Sequence, residues 1–177
     1  MAMKKSTAAR NFPVYLEVHV GGTSKQKLQQ ELDANGYIGD CARTMMSRPG
    51  FATATTSRVI KVVRVQLREL GFTDWVLWSD IIKGAGEVGG ARLPAEAGPR
   101  IWLELSDQQP GDHFWILMDP IADAGGDPYV FYAVCNDDGE RRLLGRHLPP
   151  GRRFYPHHGI LFAVRDQGAA VFRNHRK

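Results

Sequence analysis

Histidines are the side chains best suited to acid–base or metal chemistry near neutral pH, because their unperturbed pKa lies close to that range. His157 and His158 are adjacent. Neighbouring side chains on an extended segment point to opposite sides, so the two cannot grip one metal without a bend. The chain has no H-E-x-x-H or comparable ligand spacing, and the pair reads as a solvated loop. His113 differs because it opens the apolar run HFWILM, across the polar stretch SDQQPGD from Glu104. In one hairpin register Glu104 and His113 share a face with Trp102 and Trp115; a one-residue slip opposes Glu104 to Phe114 and dissolves the pair. The pair still lacks a nucleophile or a metal. A small hydrolytic or ligand-binding enzyme using His113 would need a deep pocket with an oriented carboxylate.

Other chemistry-bearing groups have plainer readings. Asp119, Asp123 and Asp127 recur every four residues in DPIADAGGD, which is not the spacing of an EF-hand loop, and aspartate with glycine is what a long turn uses. Cys41 and Cys135 lack a metal-ligand spacing and are too few for a disulfide scaffold. The glycine-rich GAGEVGG of Gly84 to Gly90 has neither a G-x-G-x-x-G nor a Walker lysine pattern. No catalytic residue, metal or cofactor is assigned.

What remains is a basic set with aromatics interleaved: Arg141, Arg142, Arg146, Arg152, Arg153 and Tyr155, with His147 and Phe154 among them. Arginine with aromatics is the composition that grips phosphates and stacks bases. The net charge of +4 is unevenly laid out. Residues 141–177 hold 9 basic against 1 acidic residue, residues 1–25 hold 4 against 1, and residues 26–140 hold 10 against 17. Such asymmetry points to an anionic partner, nucleic acid or an acidic protein, although no RNP, KH or zinc-finger signature accompanies it.

The elements that must position these groups follow from periodicity. Pro13 to Val20 alternates as a first strand, and Ser24 or Thr23 caps a helix with Leu28 and Leu32 inward and Gly36 as its stop. Asp40 to Met46 is a short second helix. Arg58 to Leu70 is β-branched enough to be a long strand. Thr73 caps a helix whose stripe is Trp75, Trp78, Ile81 and Ile82; an exposed Trp75 and Trp78 would mark a protein-interaction module. A central antiparallel meander follows: Ile101 to Leu105, His113 to Met118, Tyr129 to Cys135 and a short strand at Arg141 to Leu144. Gly159 to Arg165 and Ala169 to Arg173 form a last hairpin.

The expected fold is α+β, an antiparallel sheet of about six or seven strands with two or three helices packed on one side. Residues 1–11 read as a flexible basic N-terminus and 12–177 as one domain, with 12–70 a candidate N-terminal subdomain. No run reaches the roughly 20 apolar residues of a membrane-spanning helix, and Met1 to Arg10 lacks a signal peptide's apolar segment, so the expectation is a cytoplasmic protein without a membrane partner.

Four stretches together carry a likeness: Gly71-Phe72-Thr73; LPAEAGPR from Leu93 to Arg100; Asp107-Gln108 with Gly111; and MDPI from Met118 to Ile121. They resemble a group of uncharacterised bacterial proteins with a PAE(V/A)GP, DQP-G, M(E/D)PI core. The likeness covers about Gly71 to Asp127. This chain departs from it at Leu93, where cysteine is usual, and at Asp112-His113-Phe114, where an acid followed by tryptophan is usual. The resemblance implies a shared fold and brings no activity. The functional expectation is therefore a non-enzymatic binding protein that engages nucleic acid or an acidic partner through its arginine-rich C-terminal region.

Overall fold

A computed structural model describes residues 11–165. The order is β1 (Leu16–Val20), α1 (Lys25–Asn35), β2 (Tyr37–Ile38), α2 (Asp40–Ser47), β3 (Arg58–Gln66), a 3-10 turn (Leu67–Leu70), α3 (Trp78–Glu87), β4 (Gly90–Ala91) and α4 (Ala97–Glu104). Then come β5 (His113–Ile116), β6 (Ile121–Ala122), β7 (Pro128–Cys135), β8 (Arg141–His147) and β9 (Gly159–Val164). The fold is α+β. Among the described residues nine strands make one sheet in the order β1-β3-β9-β5-β7-β8-β2, with β4 added to β9 and β6 to β7.

The sheet is mixed, which corrects the all-antiparallel expectation. β5 runs parallel to β9 through Trp115–Ile160 and Ile116–Leu161, and β2 runs parallel to β8. β9 is flanked by β3 on one side and by β5 and β4 on the other, so both of its edges are occupied. The Ala169 to Arg173 strand expected to pair with it lies outside the described residues, as do residues 1–10 and the basic terminus they form.

Helices cover both faces of the sheet rather than one. Phe131 and Tyr132 are neighbours on β7, and neighbouring strand residues point to opposite faces. On the Phe131 side lies α4, so close that a Cβ on Gly98 would sit 2.7 Å from the Phe131 ring, and Phe51 meets the same ring edge-on at 6.0 Å. On the other side Tyr132 packs on Trp115 at 4.8 Å, and α3 places Trp78 against Trp115 at 6.4 Å. Phe131 is fully buried, and each such side chain removed from water contributes roughly 1.5–3 kcal/mol.

The largest departure is α4, which replaces the strand expected at Ile101 to Leu105. Ile101, Leu103 and Leu105 do alternate, but Trp102 is as buried as Ile101, and the buried set Ala97, Gly98, Ile101, Trp102, Leu105 has helical spacing. Pro99 falls in the first turn, where its missing N–H removes no helical hydrogen bond. The Glu104–His113 hairpin therefore does not exist. His113 instead pairs with Val134 of β7.

Two further boundaries move for similar reasons. Trp75 lies outside α3, because Val76 exchanges two backbone hydrogen bonds of 2.9 Å with Phe154 and is held extended. The helix begins at Trp78, where Asp80 reaches back to accept from the Leu77 N–H at 2.9 Å. Gly84 and Gly86 lie within α3 rather than in a loop, with Gly84 against the Phe72 ring. By contrast α1 matches expectation: the Ser24 hydroxyl accepts from the Lys27 N–H, Leu28 and Leu32 are buried, and Gly36 ends it.

Glu96, at the head of α4, is 1% exposed, and its two carboxylate oxygens accept from the Gly21 N–H at 2.8 Å and the Ala54 N–H at 2.9 Å. Gly21 has φ +81°, and a Cβ there would strike the Thr56 carbonyl at 2.1 Å, so only glycine lets the chain pass. Glu96→Ala strands both buried donors and is expected to cost about 2–4 kcal/mol, read from urea unfolding midpoints. A loss below about 0.5 kcal/mol contradicts this role.

Candidate functional site

The expected arginine cluster resolves into separate groups. Arg141 turns to the Phe131 side, where its guanidinium lies 4.8 Å from the Trp102 ring and donates to the Trp102 carbonyl. Burial lowers its pKa from the ordinary arginine value. Arg142 is consumed by an ion pair with Glu140 and lies 4.9 Å over Tyr37. These two expected site residues therefore belong to the packing at the β2 edge: the strand's alternation turns Arg141 away from the face of Arg146, and Arg142, on that face, is taken up by Glu140 and Tyr37.

Arg146 and Arg152 share one aromatic platform, and Arg153 and Tyr155 lie on the same loop segment as Arg152. Arg146, on β8, lies 5.1 Å from the Tyr132 ring. Arg152, from the loop after β8, lies 4.8 Å from Trp115 and 5.9 Å from Phe154, and donates to the His147 carbonyl at 2.8 Å. Arg153 lies 4.2 Å over Trp75. Trp75 is 40% exposed and Tyr155 44% exposed. The platform beneath is set by the pairing of Trp115 with Tyr132 across β5 and β7. Phe154 is buried and tied by its bridge to Val76, and this fixes the loop that carries Arg152 and Arg153.

The electrostatics of this surface are uncompensated. Arg43, Arg64, Arg92, Arg100 and Arg142 each have a carboxylate within 4.0 Å, whereas among the described residues none lies that close to Arg146, Arg152 or Arg153. Burial and then repulsion from Arg146 lower the Arg152 pKa, and burial raises that of the Tyr132 phenol against the pull of both arginines. Arg146 and Arg152 thus hold positive charge side by side without a carboxylate between them among the described residues.

Beside this surface an open cleft of about 420 Å³ is lined by Arg64, Gln66, Glu69, Asp112, His113 and His157. Here the expected His113 does sit in a concavity. The carboxylate that a histidine base would need is engaged elsewhere, since Asp112 holds Arg64 through contacts of 2.8 and 3.3 Å. His113 Nδ1 lies 3.0 Å from the Gly111 carbonyl, the geometry in which Nδ1–H donates and Nε2 is left open. No metal-competent group of three or more His, Cys, Asp or Glu occurs among the described residues.

No protein-family model, curated sequence or solved structure matches this chain. The functional argument thus rests on the surface itself. Sequence reading had Arg146, Arg152, Arg153 and Tyr155 from composition. It missed Trp115 and Tyr132 as their platform, and the two residues become neighbours only through strand pairing. The Trp75–Trp78 pair also divides: Trp78 is half-buried, its indole N–H facing the Met118 carbonyl at 3.4 Å, and Trp75 joins the basic surface.

The Arg64–Asp112 pair gives a pH signature. Hydrogen bonds from Arg64 hold the Asp112 pKa below its ordinary 3.8, against the opposing effect of burial. A depressed carboxyl contributes stability above its unfolded pKa and loses it as pH falls through the folded value. Asp112→Asn is expected to cost about 0.5–1 kcal/mol near neutrality, the low figure reflecting partial exposure. Its gap to wild type in urea midpoints should close as pH falls below 3.8. A gap that stays constant down to the acid limit rules the pair out as the source.

Proposed function

We propose that the protein is a non-enzymatic binding protein that receives an acidic protein partner on the surface formed by Arg146, Arg152, Arg153, Trp75 and Tyr155. The observation that carries this is the set of three arginines, each laid on an aromatic ring and none facing a carboxylate among the described residues. An arginine held on a ring has lost part of its side-chain freedom before any partner arrives, which lowers the entropic cost of binding. Arginine, tryptophan and tyrosine are also the residues that carry most of the energy in protein interfaces.

Nucleic acid is the other anionic partner suggested by the charge layout. Sequence-tolerant nucleic-acid binding relies on open aromatic faces for base stacking. Here Trp115 is 5% exposed, the Tyr132 and Trp75 rings lie under Arg146 and Arg153, and the exposed Tyr155 ring is stacked on His157, which favours carboxylates over bases. No helix among the described residues is long and apolar enough to cross a membrane.

The likeness to the bacterial proteins with the PAE(V/A)GP, DQP-G, M(E/D)PI core belongs to the same proposal, as a relationship of fold. Its supporting residues work in the framework: Glu96 ties two loops, Gly98 admits the Phe131 ring, Gln108 donates to the Asp112 carbonyl, and the Met118 sulfur accepts from the Phe131 N–H.

The reading is tested by titrating the protein with a short polyaspartate peptide and, separately, with single-stranded oligothymidylate. Peptide binding should weaken with salt. Arg146→Ala and Arg152→Ala should each weaken it about 5- to 30-fold, the loss of roughly 1–2 kcal/mol. Arg142→Ala should change it less than about twofold, because that guanidinium is already paired. Failure to bind the peptide at low ionic strength, tighter binding of oligothymidylate, or an equal effect of Arg142→Ala overturns it.

A further inference from the structure

Three histidines border the arginine surface, and the proposed function leaves them without a role. His113 projects from β5 beside the Tyr132 ring, with centroids 6.1 Å apart. His157 stacks on Tyr155 at 6.2 Å, and His158 meets the His157 ring edge-on at 4.7 Å. His158 also contacts the rings of Phe154 and Tyr155 at 6.0 and 5.8 Å, so it is seated on the loop that positions Arg152 and Arg153. The Tyr155 N–H points at His158 Nδ1 at 3.3 Å, which makes Nδ1 the acceptor and places the ring proton on Nε2 in the neutral form.

We infer that this histidine cluster makes the arginine surface pH-gated, so that it takes its acidic partner more tightly as the pH falls from about 7.5 to about 5.5. The inference rests on the proposed acidic-partner reading and adds regulation to it. Its basis is placement: His113, His157 and His158 adjoin Arg152, Arg146 and the exposed Tyr155, and each proton they gain adds positive charge to a surface where no carboxylate among the described residues pairs with those arginines.

The groups that face the cluster can be named element by element. From β3 and the following 3-10 turn come Arg64 and Glu69 across the cleft, and from the turn before β5 comes Asp112. Arg64 and Asp112 neutralise each other. From β7 comes Tyr132, neutral throughout this range, and from β8 and its loop come Arg146, Arg152 and Arg153. One Glu69 oxygen accepts from the Gln66 N–H at 2.6 Å. Cations thus outnumber acids around His158.

Protonation of His158 is opposed in the free protein. Burial first, then His157, His113 and Arg152, lower its pKa from 6.5. An acidic partner removes part of this cost by setting carboxylates against the cluster, and linkage then requires protons to be taken up on binding. The sign follows for the free protein as well: a histidine with a depressed folded pKa costs stability as pH falls below its unfolded value, and a bound polyanion should restore it.

The test is calorimetric titration with the same polyaspartate peptide, whose carboxylates stay ionised over this range. Affinity should rise at least about fivefold from pH 7.5 to 5.5, with net proton uptake revealed by buffers of different ionisation enthalpy. The triple variant His113→Gln, His157→Gln, His158→Gln should keep the affinity of wild type at the higher pH within about twofold and lose the pH dependence. If the triple variant is unstable, His113→Gln and His157→Gln, both at exposed positions, should each remove part of the slope. Arginine-dependent binding with a flat pH profile, or a slope retained in the histidine variants, overturns this inference and leaves the acidic-partner reading standing. Absence of peptide binding at either pH overturns both.

Discussion

The structure depends on the register of β7. This strand lies between β5 and β8, and its alternation sends Val130, Tyr132 and Val134 to one face and Phe131, Ala133 and Cys135 to the other. A one-residue slip would turn Phe131 out of the space between α4 and Phe51 and push the Tyr132 phenol into it. Burying a hydroxyl among apolar groups without a partner costs several times what a mis-set surface residue costs. The apolar side therefore fixes the register, and the arginine surface inherits it. Because Trp115 is paired with Tyr132, and Arg146 emerges two residues from the β8 partner of Tyr132, the ring platform and its guanidinium groups follow from a decision made in the core.

The two sides are stabilised by different physics. The Phe131 side is close-packed: a helix approaches a strand through Gly98, and a buried carboxylate, Glu96, joins the loops after β1 and before β3. The Tyr132 side is a layered surface in which aromatic rings are covered by arginines, whose aliphatic stems shelter the rings while their charges stay in water. Arg146 and Arg152 on this side are held in place without a neutralising carboxylate among the described residues. That combination leaves charge available to a partner at little cost in side-chain ordering.

How much of this could be read from the sequence depended on whether the signal was local. α1, β7, the Asn136–Gly139 turn and the loop through Pro149 and Pro150 were legible because capping residues, alternation and turn chemistry are contained within a few residues. α4 was not, since Ile101, Leu103 and Leu105 satisfy a strand pattern and the deciding fact is the burial of Trp102, a tertiary event. The parallel pairings of β5 with β9 and of β2 with β8 join segments far apart in the chain, and nothing local chooses them. The site divides in the same way. Arg152, Arg153 and Tyr155 form a contiguous segment and could be named as a group. The separation of Arg141 from Arg146 required knowing that β8 continues through His147 with alternate residues on opposite faces, and that of Arg142, which shares the face of Arg146, required its ion pair with Glu140.

The central claim is that the partner lands on the Tyr132 side of the sheet, and the four tryptophans report on it directly through their indole N–H signals. Trp75 and Trp115 lie beneath Arg153 and Arg152, whereas Trp102 is buried on the opposite face. In a nitrogen–proton correlation titration with an acidic peptide, the Trp75 and Trp115 indole signals should shift together and saturate at one common concentration, with Trp102 unmoved. Shifts confined to Trp102, or none at Trp75 and Trp115 while the peptide binds, would contradict the account.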